Sequence, residues 1–168
     1  LVRPFYRMAT RISGSVPWVI KVNGAVVSCE GIRLVFPPNT GVMYSTLLYW
    51  RGNAGYEAAT WGVLKQLFAR AGTFLDVGSN IGLYAVLAKK LYPKLRVDAF
   101  EPVPSLAEGN RRFHVANGLS PNQVHQVAMS DTKGSFAMTV PQFDGVLEAE
   151  PTSTLQVGVH LSPGAAES

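Results

Sequence analysis

Asp76-Val77-Gly78-Ser79-Asn80-Ile81-Gly82 ends a short apolar run on a carboxylate and follows it with a loop bounded by two glycines. Between a strand and a helix, such a loop lets backbone approach a ligand, and the free N–H groups of the helix start point at it. A side chain at Gly78 or Gly82 would block that approach. The spacing departs from the dinucleotide fingerprint, because Gly-x-Gly-x-x-Gly needs glycine where Asn80 stands. Asparagine tolerates the left-handed backbone conformation, so the turn can still form. Glu101 ends the next apolar run, where one carboxylate with two oxygens suits the two hydroxyls of a ribose. Pro102 then turns the chain away, and a negative charge at this place repels a 2′-phosphate, which disfavours NADP. Asp76 is placed either to accept from a ligand's ammonium group, directly or through water, or to hold N–H groups of its own loop. Ser130-Asp131 follows the third apolar run. Asp131 there either bonds an adenine amino group or starts the turn to Gly134.

These residues need a scaffold, and the rest of the chain supplies the pattern for one. Phe74-Leu75-Asp76-Val77 has the length and flanks of a buried strand. Residues 81–92 read as a helix stopped by Pro93, with Leu83, Val86, Leu87 and Leu91 toward the sheet. Residues 96–100 form the second strand, 105–117 a helix closed by Gly118, and 124–128 the third strand. Strand, helix, strand, helix, strand is the order of a parallel sheet with right-handed crossovers, and three strands do not complete such a sheet. Upstream, Ala58, Trp61, Leu64 and Phe68 fall on one face of a helix that runs from Glu57 to about Ala71-Gly72. Val19 to Val22 and Ala25 to Ser28 flank Asn23-Gly24 and predict a hairpin, with a third strand at residues 32–36 and a loop at 37–41. Lys133-Gly134 looks like a turn into residues 136–140. The expected organisation is a β-rich lead-in over residues 1–54, a ligand-binding α/β domain over 55–150 and a Gly-, Pro- and Ser-rich tail over 151–168.

Composition narrows the classes. Of 168 residues, 47% are hydrophobic and 15% charged, as a packed globular core requires. The net charge of +4 is spread along the chain, which gives no footprint for nucleic acid. Cys29 is the single cysteine, so neither an intrachain disulfide nor a thiolate metal cluster can form. His114, His125 and His160 lack ligand spacing, and no metal is expected. No apolar run approaches the ~18 residues that span a bilayer, and no signal-peptide order is present, which favours a soluble, cytoplasmic protein. The chain begins at Leu1 and is expected to be a piece of a longer one. Neither a Gly-x-Ser-x-Gly elbow nor a Gly-x-x-x-x-Gly-Lys-[Ser/Thr] loop occurs, so hydrolase and triphosphatase chemistry find no support. Trp18, Trp50 and Trp61 with Tyr44, Tyr49 and Tyr56 either line an acceptor pocket or fill the core.

Taken in order, several segments resemble the FkbM-type methyltransferases, a family of class I, Rossmann-like enzymes that use S-adenosyl-L-methionine and mostly methylate hydroxyls of sugars and natural products. Tyr56-Glu57 with Thr60-Trp61 and Leu64 looks like the family's leading helix. Residues 74–84 are close to its cofactor loop, and Ala99-Phe100-Glu101-Pro102 to its acidic second-strand motif. Asn117-Gly118-Leu119 and Ala128-Met129-Ser130-Asp131 with Gly134 match the segments that follow, from about residue 55 to 140. The resemblance implies an O-methyltransferase in which Asp76, Gly78, Ser79, Asn80 and Gly82 hold the methionine end, Glu101 takes the ribose, and Ser130 with Asp131 take the adenine; Tyr56 and Glu57, immediately ahead of this domain, are placed to close over the methionine end. It implies a small-molecule or glycan acceptor. The family's later segment, close to Asp-x-x-Lys-x-Asp-Val-Glu-Gly, has no counterpart between Asp144 and Ser168, so the catalytic base and the oligomeric state stay unassigned. The alternative is a non-catalytic nucleoside-binding module of the same fold.

Overall fold

A computed structural model describes residues 21–134. The basic first dozen residues, Val19-Ile20, the expected strand at 136–140 and the tail lie outside the described residues.

Strands β1 (Ala25–Cys29) and β2 (Ile32–Phe36) pair antiparallel, with Cys29 opposite Ile32. Their turn is Glu30-Gly31, with φ of 52° and 77°, the positive values that the tightest hairpins require at both central positions. The expected strands at 25–28 and 32–36 are thus the pair observed; Lys21 and Val22 are not in a strand, and Val19-Ile20, the rest of the strand expected before Asn23-Gly24, lie outside the described residues. Asn23 serves another contact: its Nδ2 donates to Asn39 Oδ1 at 2.8 Å, and the Asn39 N–H donates back at 2.6 Å, clasping the 37–41 loop. Register follows burial, since Val27 and Cys29 turn inward with Leu34 and Phe36, and a slip of one residue would expose all four.

Helix α1 (Val42–Arg51) corrects the β-rich description of the lead-in. Its buried positions include the hydroxyl residues Ser45 and Thr46. Ser45 Oγ donates to Val22 O at 2.6 Å, while Thr46 Oγ1 accepts from the Val22 N–H at 2.8 Å. A helix that buries polar residues shows no clean apolar stripe, so the sequence carries no helical period here. Helix α2 (Ala58–Phe68) buries Trp61 and Phe68, but Ala58 is exposed and the helix stops short of Ala71.

The α/β part then runs β3 (Thr73–Val77), α3 (Leu83–Leu91), β4 (Arg96–Phe100), α4 (Pro104–Ala116) and β5 (Val124–His125). The sheet order is β3-β4-β5, and both pairings are parallel, with Asp76 beside Ala99 and Ala99 beside Val124. This is a mixed α/β, Rossmann-like arrangement of a parallel sheet flanked by helices, as expected, although β5 covers only two of the five residues anticipated. Parallel neighbours align the strand ends, so the residues after β3 and after β4 meet on one side of the sheet.

One core joins the lead-in to the sheet. Leu34 and Phe36 of β2 share it with Ala85, Val86 and Ala88 of α3, Val97 and Ala99 of β4 and Phe113 of α4. The Phe36 and Phe113 rings sit 4.6 Å apart, and each buried side chain of this size contributes about 1.5–3 kcal/mol. Asn117 at the end of α4 accepts from the Val35 N–H and donates to Val35 O, both at 3.0 Å, as a neighbouring strand would. Tyr44 and Trp61 belong to this core, and Trp50 is also buried, which settles those three in favour of packing. Among the described residues no helix is long and apolar enough to cross a membrane. The described residues divide into two units after Ala128, and all the elements above belong to the first.

Candidate functional site

The loop from β3 to α3 is tied to the end of β4. The N–H groups of Gly78 and Ser79 both donate to Phe100 O, at 2.9 and 3.0 Å, and the Gly82 N–H closes onto Ser79 O at 2.7 Å. Gly78, Asn80 and Gly82 all take the left-handed conformation, with φ of 74°, 50° and 79°. Asn80 thus does what the sequence asked of it, and its own Oδ1 accepts from the Ile81 N–H at 2.8 Å.

The two glycines differ in their reasons. A Cβ on Gly78 would meet no atom within 4 Å, so its side of the loop is open. A Cβ on Gly82 would overlap the side chain of Asn110, so this glycine is required by the protein's own packing, not only by a ligand's approach.

Asp76 is 8% exposed, and its Oδ2 accepts from the Ala85 N–H at 3.1 Å. From the strand end it thereby caps a free N–H in the first turn of α3, a service usually given by the residue preceding a helix. Burial pushes its carboxyl up to about 6, with the nearby Glu101 charge adding to the shift and the Ala85 bond opposing it. Glu101 is 3% exposed. Its Oε2 accepts from the Asn80 N–H at 2.8 Å and its Oε1 from the Val103 N–H at 2.9 Å. Burial raises its pKa, and the two backbone bonds pull it back. The loop and the strand-end acid are therefore in direct contact. Each carboxylate oxygen has two acceptor sites, so one per oxygen is left after these bonds.

Glu57 reaches the same end of α3. It precedes α2 in a left-handed conformation, φ 39°, and accepts from the Tyr84 hydroxyl at 2.5 Å. Tyr84 stacks on Trp61 with ring centroids 5.8 Å apart and lies 6.2 Å from the Tyr56 ring. Burial, then the Glu57 bond and charge, push the Tyr56 phenol up to about 12. The same causes raise Tyr84, and the Asp76 charge acts on both phenols. Ser130 and Asp131 lie in the second unit on an exposed turn, where Ser130 Oγ donates to Asp131 Oδ1 at 3.2 Å and accepts from the Thr132 N–H at 3.4 Å.

Two residues given no role from sequence belong to this site. Tyr84 orients Glu57, and only its place in the first turn of α3 hints at it. Asn110 had a stronger signal: with Leu106 and Phe113 it lies on the buried face of α4, and an amide in an apolar stripe invites explanation. His114, four residues on, is fully buried and uses Nδ1 toward Asn110 O at 3.0 Å, so it carries its proton there, and burial holds its pKa below the usual histidine range. Among the described residues no group of His, Cys, Asp and Glu could hold a metal ion.

Fold and loop define a Rossmann-like α/β unit with a glycine turn facing a strand-end carboxylate. Two curated proteins named as methyltransferases match part of the chain. The chain is similar to Methyltransferase 1 of Beauveria bassiana, 35% identical over 75 residues that cover 42% of this chain and 29% of that protein. It is similar also to Methyltransferase sdnD of Sordaria araneosa, 32% identical over 66 residues, 39% of this chain and 26% of that protein. The matched stretch thus spans less than a third of either curated relative. No family model matches the chain.

Proposed function

We propose that this chain carries the cofactor-binding part of an S-adenosyl-L-methionine-dependent methyltransferase of the FkbM type, acting on a hydroxyl of a sugar or another small natural product. The observation that carries this reading is the 2.8 Å bond from the Asn80 N–H to Glu101 Oε2, which joins the glycine loop to the strand-end acid. The acceptor capacity left on Glu101 fits the two ribose hydroxyls, whose donors match one carboxylate. Asp76, with one oxygen bonded to Ala85, keeps the other for an ammonium group, and Glu57 adds a second carboxylate held by Tyr84. Gly78, Ser79, Asn80 and Gly82 form the wall against the methionine end, where the open side of Gly78 leaves space. Ser130 and Asp131 are assigned to the adenine on the resemblance of their motif.

The cofactor, when bound, supplies a methyl group on a sulfonium centre that leaves readily as a neutral thioether. The protein's part is to hold the two reactants in line and exclude water, which accounts for much of the rate in reactions of this kind. In this reading residues 55–150 carry the cofactor and residues 1–54 support them.

Calorimetric titration of the full chain with S-adenosylhomocysteine tests the ribose assignment. Glu101→Ala is expected to weaken binding by about ten- to a hundredfold, the range for losing charged hydrogen bonds. Unchanged affinity in a folded variant would remove Glu101 from the site.

A further inference from the structure

We propose that Asn110 on α4 is a positioning residue that sets the glycine loop in its ligand-accepting form by holding the peptide after Asn80 from behind. The role rests on the cofactor reading above, since it matters for binding only if that loop meets the ligand.

Asn110 is fully buried. Its Nδ2 donates to Ser79 Oγ at 2.9 Å and to Asn80 O at 3.1 Å. Asn80 O can only accept, so the amide NH₂ must face the loop and the side chain has one orientation. Oδ1 then faces Gly82 and has no hydrogen-bond partner among the described residues. An orphaned buried carbonyl is costly, and a leucine of similar volume would avoid it. A leucine would also take this donor away from Ser79 Oγ and Asn80 O, so the two bonds into the loop account for an asparagine here.

Their geometry has a specific effect. Glu101 holds the Asn80 N–H, which belongs to the peptide before that residue, and Asn110 holds the Asn80 C=O, which belongs to the peptide after it. With both flanking peptide planes fixed, φ and ψ at Asn80 are fixed as well, in a left-handed conformation that a free chain seldom keeps. The next residue is wedged from the same helix. Ile81 is 3% exposed, and a Cβ on Gly109 would stand 3.8 Å from its Cγ2, while a Cβ on Gly41 would come within 2.6 Å of its Cδ1. Gly41, on the 37–41 loop, thus makes room for Ile81, while Asn110 ties the turn that precedes it. The 37–41 loop closes the far side, which gives the lead-in a part in shaping the site.

The test compares Asn110→Leu, Asn110→Asp and, as a packing control on the same helix, Phe113→Leu in the full chain. Hydrogen exchange at the Asn80 amide is measured without ligand, and S-adenosylhomocysteine affinity by calorimetry. Both Asn110 variants are expected to speed exchange at Asn80 at least tenfold and to weaken affinity at least tenfold, while Phe113→Leu lowers the melting temperature and leaves affinity within twofold. Asn110→Asp keeps the shape and loses the donor, so it carries the test if the leucine variant does not fold. Unchanged exchange at Asn80 overturns the proposal. So does faster exchange with unaltered affinity, or an equal loss of affinity in Phe113→Leu. If the unaltered chain does not bind S-adenosylhomocysteine, the cofactor reading fails, and the exchange data alone decide whether Asn110 holds the loop.

Discussion

Asp76 shows how one carboxylate is shared between fold and site. It is buried beside a second acid, and burial raises its pKa from 3.8 to about 6. A carboxyl with a raised pKa binds its proton more tightly in the folded state, so its contribution to stability is most favourable below the unfolded value and is lost as pH rises through about 6. Asp76→Asn keeps an oxygen for the Ala85 N–H and removes the buried charge. Thermal melts at pH 7 should therefore show the variant more stable, by about 1–3 kcal/mol. Its affinity for S-adenosylhomocysteine should fall instead, because an ammonium group prefers the charged form. In the unaltered chain that affinity should decline as pH drops below about 6, and in Asp76→Asn the decline should be absent. A variant with lower stability and unchanged affinity would make Asp76 a helix cap only. Tyr84→Phe addresses the other acid: releasing Glu57 should cost about 0.5–1.5 kcal/mol of binding by calorimetry, with the fold retained.

At the scale of elements, the β3–α3 turn is built from three left-handed residues in five, and its two glycines make separate demands. Gly78→Ala meets only the strain of its backbone conformation, about 1–2 kcal/mol, since nothing stands near the added methyl. Gly82→Ala adds an overlap with Asn110, and its melting temperature should drop clearly further. Equal losses would mean that Asn110 moves aside freely. The turn, its two strands and the flanking helices were legible in the sequence because period, length and punctuation agreed there. The 96–100 strand was placed to the residue. Of the expected lead-in strands, those at 25–28 and 32–36 pair across Glu30-Gly31, while the side chain of Asn23 is engaged with Asn39. Helix α1 was missed because its buried face includes hydroxyls bonded to Val22, a contact no local pattern announces. The carboxylates could be named from position, whereas Asn110 lies 30 residues from its partner and becomes visible only when α4 packs on the loop.

Across the whole molecule, the lead-in and the α/β part are one packing problem. Phe36 on Phe113, Asn117 on Val35 and Gly41 against Ile81 place the first elements behind the β3–α3 loop. The other face of the sheet is bare in the described residues: Leu75 and Val77 are 51% and 59% exposed, and β3 has a strand neighbour on one side only. Parallel sheets are ordinarily covered on both faces. The β3–α3 loop and Glu101 are the part proposed to bind S-adenosyl-L-methionine. Titrating the full chain in parallel with S-adenosylhomocysteine and with NAD tests that proposal most directly. Saturable binding of S-adenosylhomocysteine at one site, with no response to NAD, is the predicted result, and tight binding of NAD with no response to S-adenosylhomocysteine would contradict it.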